Sequence, residues 1–311
     1  MPKIAALARR VDEVTVLVDG AVPGVLPDNC RVRLFRSSTK LGRGLRFEAA
    51  LAAELARGRP ERILAHMCPI YAVLAAPVAR PLRVRLLLWY THWHASPTLS
   101  LAEPLVDRVV SVDRRSFPLE SKKVIPTGHG IDLSEFECFR PEPAEELRVL
   151  ALGRLSPSKG LDTIVGAVAQ VDNARLRIVG PASSSEERHH RAELEARVAG
   201  LPVSIEEPVP RAEVPALFAQ TDVLVNNMRA GAPDKVVYEA GASCLPVLAS
   251  NPIFAGMLEP FPREDADELA RRLRAFAALP PDERVRIGQA LRATVEAGHS
   301  VDSWAERVLS A

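Results

Sequence analysis

The stretch Leu147–Asp162, LRVLALGRLSPSKGLD, decides how the chain is read. An apolar run, Val149-Leu150-Ala151-Leu152, stops at Gly153, as a buried strand of a parallel sheet would. Arg154 follows at once. Lys159 and Gly160 stand just before Leu161–Val171, whose apolar spacing predicts a helix. A strand, a short turn with two fixed cations and a helix N-terminus can together hold a diphosphate. The helix offers free N–H groups and a partial positive charge, and Arg and Lys add full charges. The alternative is an ordinary strand-to-helix loop whose cations are solvated.

Composition bounds the possibilities. The chain has 311 residues, long enough for two domains, with 47% hydrophobic and 25% charged residues. Forty Lys+Arg against thirty-nine Asp+Glu leave a formal charge of +1, which gives no footprint for nucleic acid. Cys30, Cys68, Cys138 and Cys244 are far apart and form no Cys-x-x-Cys pair. That spacing predicts neither a zinc site nor a disulfide framework and fits a reducing cytosol. No apolar run approaches the ~20 residues of a membrane span, and the opening MPKIAALARR has no signal-peptide core. The expectation is a soluble, cytoplasmic chain.

Before the deciding stretch, strands are expected at Val14–Val18, Val32–Phe35, Ile63–His66, Val84–Tyr90, Val109–Val112 and Lys123–Ile125. Helices are expected at Phe47–Ala56 and Tyr71–Ala79. The alternation points to an α/β, doubly wound parallel sheet. Such a domain usually opens on a strand and a glycine-rich loop, yet this chain opens on Ile4–Arg10, the back end of a first helix; the first strand and its loop are missing. An unpaired sheet edge there would favour a homodimer or strand exchange. Glu137–Glu146, rich in Pro and acid, reads as a linker. The expected domains are residues 1–140, 141–290 and a C-terminal helix, 291–311, packing back on the first.

After the linker come strands at Leu176–Val179, Val203–Ile205, Val223–Val225 and Pro246–Ala249. They alternate with helices at Glu186–Ala199, Glu213–Ala219 and Lys235–Ala242, and the remainder is helical to Ala311. ALGRLSPSKGLDTIVGA, RIVGP, TDVLVNN and GAPDKVVYEAGASCLPVLASN, in that order, resemble the carboxyl-terminal domain of the retaining GT-B glycosyltransferases, the "glycosyl transferases group 1" family. GHGIDLSEF (Gly128–Phe136) is similar to the segment that precedes this domain.

The resemblance implies two Rossmann-like domains facing a cleft. It also implies transfer of a sugar from a UDP- or GDP-linked donor to a glycan, lipid-linked or small-molecule acceptor. Arg154 and Lys159 match the pair that holds the donor diphosphate, where fixed cations stabilise the charge developing on the leaving group. Glu239 matches the carboxylate that accepts from the ribose hydroxyls. The helix start at Lys235, Val236 and Val237 would offer N–H groups to phosphate, Gly153 and Gly180 would line the nucleotide site, and His92 would face the donor sugar. Neither cofactor nor metal is implied, and no Asp-x-Asp pair stands near these positions.

The family pattern of Glu, seven residues, Glu is broken: Glu239 fits the second, but Gly231 replaces the first. That departure, with the missing opening strand, keeps a non-catalytic nucleotide-binding protein as the alternative, ahead of a sugar-nucleotide epimerase or a phosphorylase. The acid-free basic run Arg31, Arg33, Arg36, Lys40, Arg43 and Arg46 reads as an exposed edge or as a surface for anionic lipid at the inner membrane face. His94 and His129 are left without a role, and His189-His190 reads as solvated.

Overall fold

Every strand pairing among the described residues is parallel. Parallel neighbours require crossover connections, and this is why helices separate most of the strands along the chain. The computed structural model describes residues 2–21, 24, 26–139 and 144–311. The chain divides into residues 1–130 with 299–311, and residues 131–298. Part of the expected linker, residues 140–143, lies outside the described residues.

The first unit opens on α1 (Pro2–Ala8), then β1 (Val14–Val18) and β2 (Cys30–Leu34). Helix α2 (Lys40–Arg57) starts well before the expected Phe47. Thr39 caps it, its hydroxyl accepting from the Gly42 N–H at 3.1 Å, a signal that apolar periodicity does not register. β3 (Arg62–His66), α3 (Pro69–Ala79), β4 (Arg85–Trp89), α4 (Pro97–Ala102), β5 (Arg108–Ser111) and β6 (Val124–Pro126) follow. Helix α4 is absent from the sequence reading; Ser96 caps it, accepting from the Leu99 N–H at 3.2 Å, and Pro97 supplies the first turn.

Strands β3-β4-β5-β6 form one sheet and β1-β2 another; among the described residues no strand bonds both β1 and β3. Burial follows that division. Leu86, Leu87 and Leu88 of β4 are sealed, whereas every residue of β1 is only half-buried.

The second unit starts its sheet with β7 (Leu147–Leu152), α5 (Leu161–Val168), β8 (Ala174–Val179), α6 (Ser185–Arg197) and β9 (Val203–Glu206). Then come α7 (Val214–Ala219), β10 (Val223–Asn226), α8 (Lys235–Ala242), β11 (Val247–Ala249), α9 (Ala266–Ala277) and α10 (Pro281–His299). The order is β11-β10-β7-β8-β9. β7 is central, which explains its unbroken apolar run. Arg148 ties its start to β10: the backbone N–H and Nε donate to Asp222 Oδ2 at 2.8 and 3.0 Å, and Nη2 to Oδ1 at 2.9 Å. Helix α10 passes so close to the end of α8 that a Cβ at Gly288 would overlap the Cys244 carbonyl.

At Ser300 the chain caps α11 (Val301–Ser310), which belongs to the first unit. There Trp304 meets Trp89 edge-on at 5.6 Å, and the Lys3 ammonium lies 3.9 Å from the Trp89 ring. His299 Nδ1 accepts the His129 N–H at 3.2 Å, and burial holds this imidazole's pKa down to about 4, so it stays a neutral acceptor.

Cys138 and Cys244 form a disulfide, with Cα atoms 4.9 Å apart and 106 residues between them in sequence. This corrects the expectation of unlinked cysteines and removes their support for a reducing compartment; only Cys30 and Cys68 are free. Among the described residues no helix is long and apolar enough to cross a membrane. A crosslink closing so long a loop restricts the unfolded chain by about 2–4 kcal/mol. Cys138→Ser should therefore lower the melting midpoint of the second unit by roughly 5–10 °C. Calorimetry with and without reductant checks this, and an unchanged endotherm would count against a stabilising crosslink.

Candidate active site

In the second unit the strand order reverses between β7 and β10. Outside the carboxyl ends of strands at such a reversal, diverging loops leave a crevice where ligands of open α/β sheets bind. A pocket lies there, lined by Gly153, Arg154, Lys159, Val225, Asn226 and Asn227.

Backbone packing gives the pocket its floor. A Cβ on Gly180 would fall 1.9 Å from the Gly153 carbonyl oxygen, so the ends of β8 and β7 touch with no room for a side chain. A Cβ on Gly153 would meet Lys159 Nζ at 3.1 Å, which puts the ammonium directly over this glycine. Gly160 turns into α5 in the left-handed conformation, φ 56°, and its carbonyl accepts from Asn227 Nδ2 at 2.8 Å.

The two cations differ in setting. Lys159 is mostly buried and pairs with Asp234, which also accepts from Asn226 Nδ2 at 2.8 Å. Asp234 precedes α8, yet its side chain makes no capping bond to that helix. Arg154 is exposed and reaches Glu187 Oε1 at 3.2 Å. Glu187 is buried: its Oε2 accepts the Ser183 and Ser184 N–H groups at 2.8 and 3.1 Å, and these bonds, with Arg154 nearby, lower its pKa against the cost of burial.

Helix α8 is buried from Val236 to Ala242. The N–H groups of its first turn, Lys235, Val236 and Val237, lie at its N-terminal end, where the helix's partial positive charge collects; that of Val237 donates to the Asp234 carbonyl at 3.3 Å. One turn on, Glu239 is 5% exposed, and such a carboxylate needs compensation. Lys235 Nζ and Arg211 Nη1 both reach its Oε1, at 2.6 and 2.5 Å. The other arm of Arg211 holds Glu135 Oε2 at 2.7 Å.

The structure thus brings Gly153, Arg154, Lys159 and Gly180 to one pair of strand ends and sets Lys235, Val236, Val237 and Glu239 along α8. His92 belongs to the first unit, just beyond β4. Its Nδ1 accepts the His94 N–H at 3.0 Å, so the neutral ring carries its proton on Nε2. Burial, then the nearby His94, lowers its pKa and keeps it neutral.

Gly231 has φ 121°, a backbone conformation hostile to the glutamate expected there. His190, read as solvated, is buried on α6, while His189 is exposed and meets Glu193 at 3.3 Å. The basic run is partly neutralised by distant acids: Arg31 and Arg33 pair with Glu54, and Arg43 lies 3.6 Å from Asp19. Among the described residues no group of three His, Cys, Asp or Glu could hold a metal ion.

Asn226, Asn227, Asp234, Glu187 and Arg211 were missed as site residues. Only the asparagines left a trace in sequence, two amides closing the apolar strand VLV. Gly180→Ala should be the most damaging small substitution in the pocket, because the added methyl meets backbone and not a movable side chain. A loss of about 2 kcal/mol or more, as for other overpacked sites, is expected in chemical denaturation; a neutral result would show that the two strand ends part easily.

Residues 146–278 match the glycosyl transferases group 1 family. Among solved structures, sucrose-phosphate synthase from Thermosynechococcus elongatus is similar, with a TM-score of 0.78 at 20% identity over 99% of this chain and 90% of that one. A glycosyltransferase from Rickettsia africae gives 0.79 at 15% identity, over 99% and 92%. Anabaena HepE in complex with UDP and glucose gives 0.76 at 18% identity, over 99% and 94%. No curated protein matches the chain by sequence. These structural likenesses establish the GT-B fold, and the match to the glycosyl transferases group 1 family covers residues 146–278 of the chain.

Proposed function

We propose that this protein is a glycosyltransferase that moves a sugar from a UDP- or GDP-linked donor to a glycan, lipid-linked or small-molecule acceptor with retention of anomeric configuration. The observation that carries this reading is Lys159 Nζ poised over Gly153, at the reversal of strand order. A diphosphate seated there would meet Lys159, Arg154 and the first-turn N–H groups of α8. As the bond from sugar to diphosphate breaks, charge grows on the leaving oxygen. Cations fixed there favour the transition state over the bound donor. These protein groups supply the stabilisation, so the proposed reaction calls for no metal. HepE was solved with UDP and glucose, which supports a UDP-linked donor here.

Glu239 would accept from the ribose hydroxyls. His92, donating through Nε2, would bind a sugar hydroxyl in its neutral form. For retention we favour front-face attack assisted by the leaving diphosphate, since a glycosidase-type route would need a carboxylate placed as nucleophile.

The acceptor side has support of its own. Leu34, Leu41 and Leu45 are 60%, 76% and 59% exposed. Arg36 and Lys40 stand beside them in sequence with no acidic partner among the described residues. Apolar and cationic side chains presented together suit an anionic membrane surface and hence a lipid-linked acceptor.

Calorimetry with UDP and GDP tests the donor site. One of them should bind, and Lys159→Ala and Glu239→Ala should each weaken it by roughly 10- to 100-fold, the range for a lost charge-assisted hydrogen bond. Failure of both nucleotides would overturn the reading. For the membrane face, sedimentation with phosphatidylcholine vesicles, with and without phosphatidylglycerol, should show binding only to the anionic ones. Replacing Arg36 and Lys40 by Gln should weaken it roughly 30-fold; equal binding to both vesicle types rules out the electrostatic contact.

A further inference from the structure

Arg211 lies just before α7 and belongs to none of the motifs that mark the donor site. Its surroundings are unusually complete. Nη1 donates to Glu239 Oε1 at 2.5 Å. Nη2 and Nε donate to Glu135 Oε2 at 2.7 and 3.2 Å. The guanidinium carbon lies 5.0 Å from the centre of the Phe136 ring. Burial works against its charge, but attraction to Glu239 and Glu135 outweighs that and raises its pKa.

The rest of the frame is fixed as well. Phe136, fully buried, is held through its carbonyl by Arg292 Nη1 at 2.7 Å, and the same nitrogen bonds the Ala242 carbonyl at the end of α8. The Cys138–Cys244 disulfide ties the same segment to the residue just past that helix. Arg211 is therefore gripped between two rigid elements, one of which carries Glu239.

The consequence falls on one torsion. The terminal torsion of a glutamate is soft and roughly two-fold, so an unheld carboxylate has no preferred face. Here Arg211 and Lys235 both engage Oε1, which leaves Oε2 without a partner among the described residues. A planar fork anchored at its other arm fixes the carboxylate plane in a way the flexible Lys235 cannot.

We infer that Arg211 is a positioning residue for ribose recognition, orienting Glu239 so that Oε2 accepts from the vicinal hydroxyls of the donor nucleotide. This rests on the donor site proposed above and adds to it the residue that sets its selectivity for a ribonucleotide. Arg211 itself does not touch the sugar. Its loss should remove discrimination at the ribose while leaving the diphosphate contacts in place.

The test is calorimetric titration of the full chain with UDP and with 2′-deoxy-UDP, comparing wild type with Arg211→Gln. Should GDP be the nucleotide that binds, GDP and 2′-deoxy-GDP replace them. Wild type should prefer the ribonucleotide roughly 10- to 100-fold. In Arg211→Gln that preference should collapse to within about threefold, with deoxynucleotide affinity changed by no more than about threefold. If circular dichroism shows that this variant does not fold, Arg211→Met, whose stem keeps the packing on Phe136, gives the same comparison. A strut without a positioning role would weaken both ligands equally and preserve the preference. That outcome, or wild-type discrimination in a folded variant, overturns the inference and leaves the donor site standing. No binding of either ribonucleotide to wild type overturns the donor site, and the role of Arg211 with it.

Discussion

The backbone contact between Gly153 and Gly180 is the constraint on which the candidate site depends. A Cβ at position 180 has no space, because the Gly153 carbonyl already stands there. The ends of β7 and β8 are therefore locked at one level. The turn that leaves β7 has to fold back over its own first glycine, and this brings Lys159 Nζ to where a Cβ of Gly153 would point. Asn227 then pins Gly160 from the neighbouring strand end through a 2.8 Å bond, fixing the entry of α5. Side chains with long, soft stems are thus aimed by backbone that has almost no freedom, which is how a pocket is kept ready before a ligand arrives.

How much of this was legible in sequence depends on how far apart the interacting residues lie. The strand–turn–helix at residues 147–168 reads locally, since periodicity, a glycine stop and two nearby cations all fall within a few turns of chain. Helix α8 likewise begins and ends where its apolar spacing places it, at Lys235 and Ala242. What was missed joins distant positions: Lys159 with Asp234 across 75 residues, Arg211 with Glu239 across 28, and Cys138 with Cys244 across 106. No periodicity connects such pairs. The early start of α2 and the whole of α4 were missed for a different reason, because each is set by a capping hydroxyl, Thr39 or Ser96, and not by its apolar face.

The first unit shows the same dependence on neighbours from the opposite side. In the second unit the central strand β7 has a partner on each edge, and its residues Val149, Leu150 and Ala151 are sealed. In the first, among the described residues, β1 pairs only with β2 and β3 only with β4, and the VTVLV segment stays half-buried throughout. An apolar strand with an unpaired edge exposes backbone polar groups along with its side chains, a state folded proteins usually cover.

The choice between lysine and arginine across the second unit follows from what each contact has to do. Lys159 rests on Asp234, and that carboxylate sits at the entry to α8, where an anion is favoured. The pair keeps a largely buried ammonium from being uncompensated, which would be costly. A diphosphate seated as proposed could not share this position with Asp234 without like-charge repulsion, so Lys159 would have to trade one anion for the other. A compact ammonium on a four-carbon stem can make that exchange by rotating, whereas a planar fork held at both arms cannot. Arg211 sits at the contact that must not move, between Glu135 and Glu239, with its guanidinium carbon 5.0 Å from the centre of the Phe136 ring. Lysine at the exchanged contact and arginine at the fixed one are what a site needs if its phosphate end yields on binding while its ribose end is already in place.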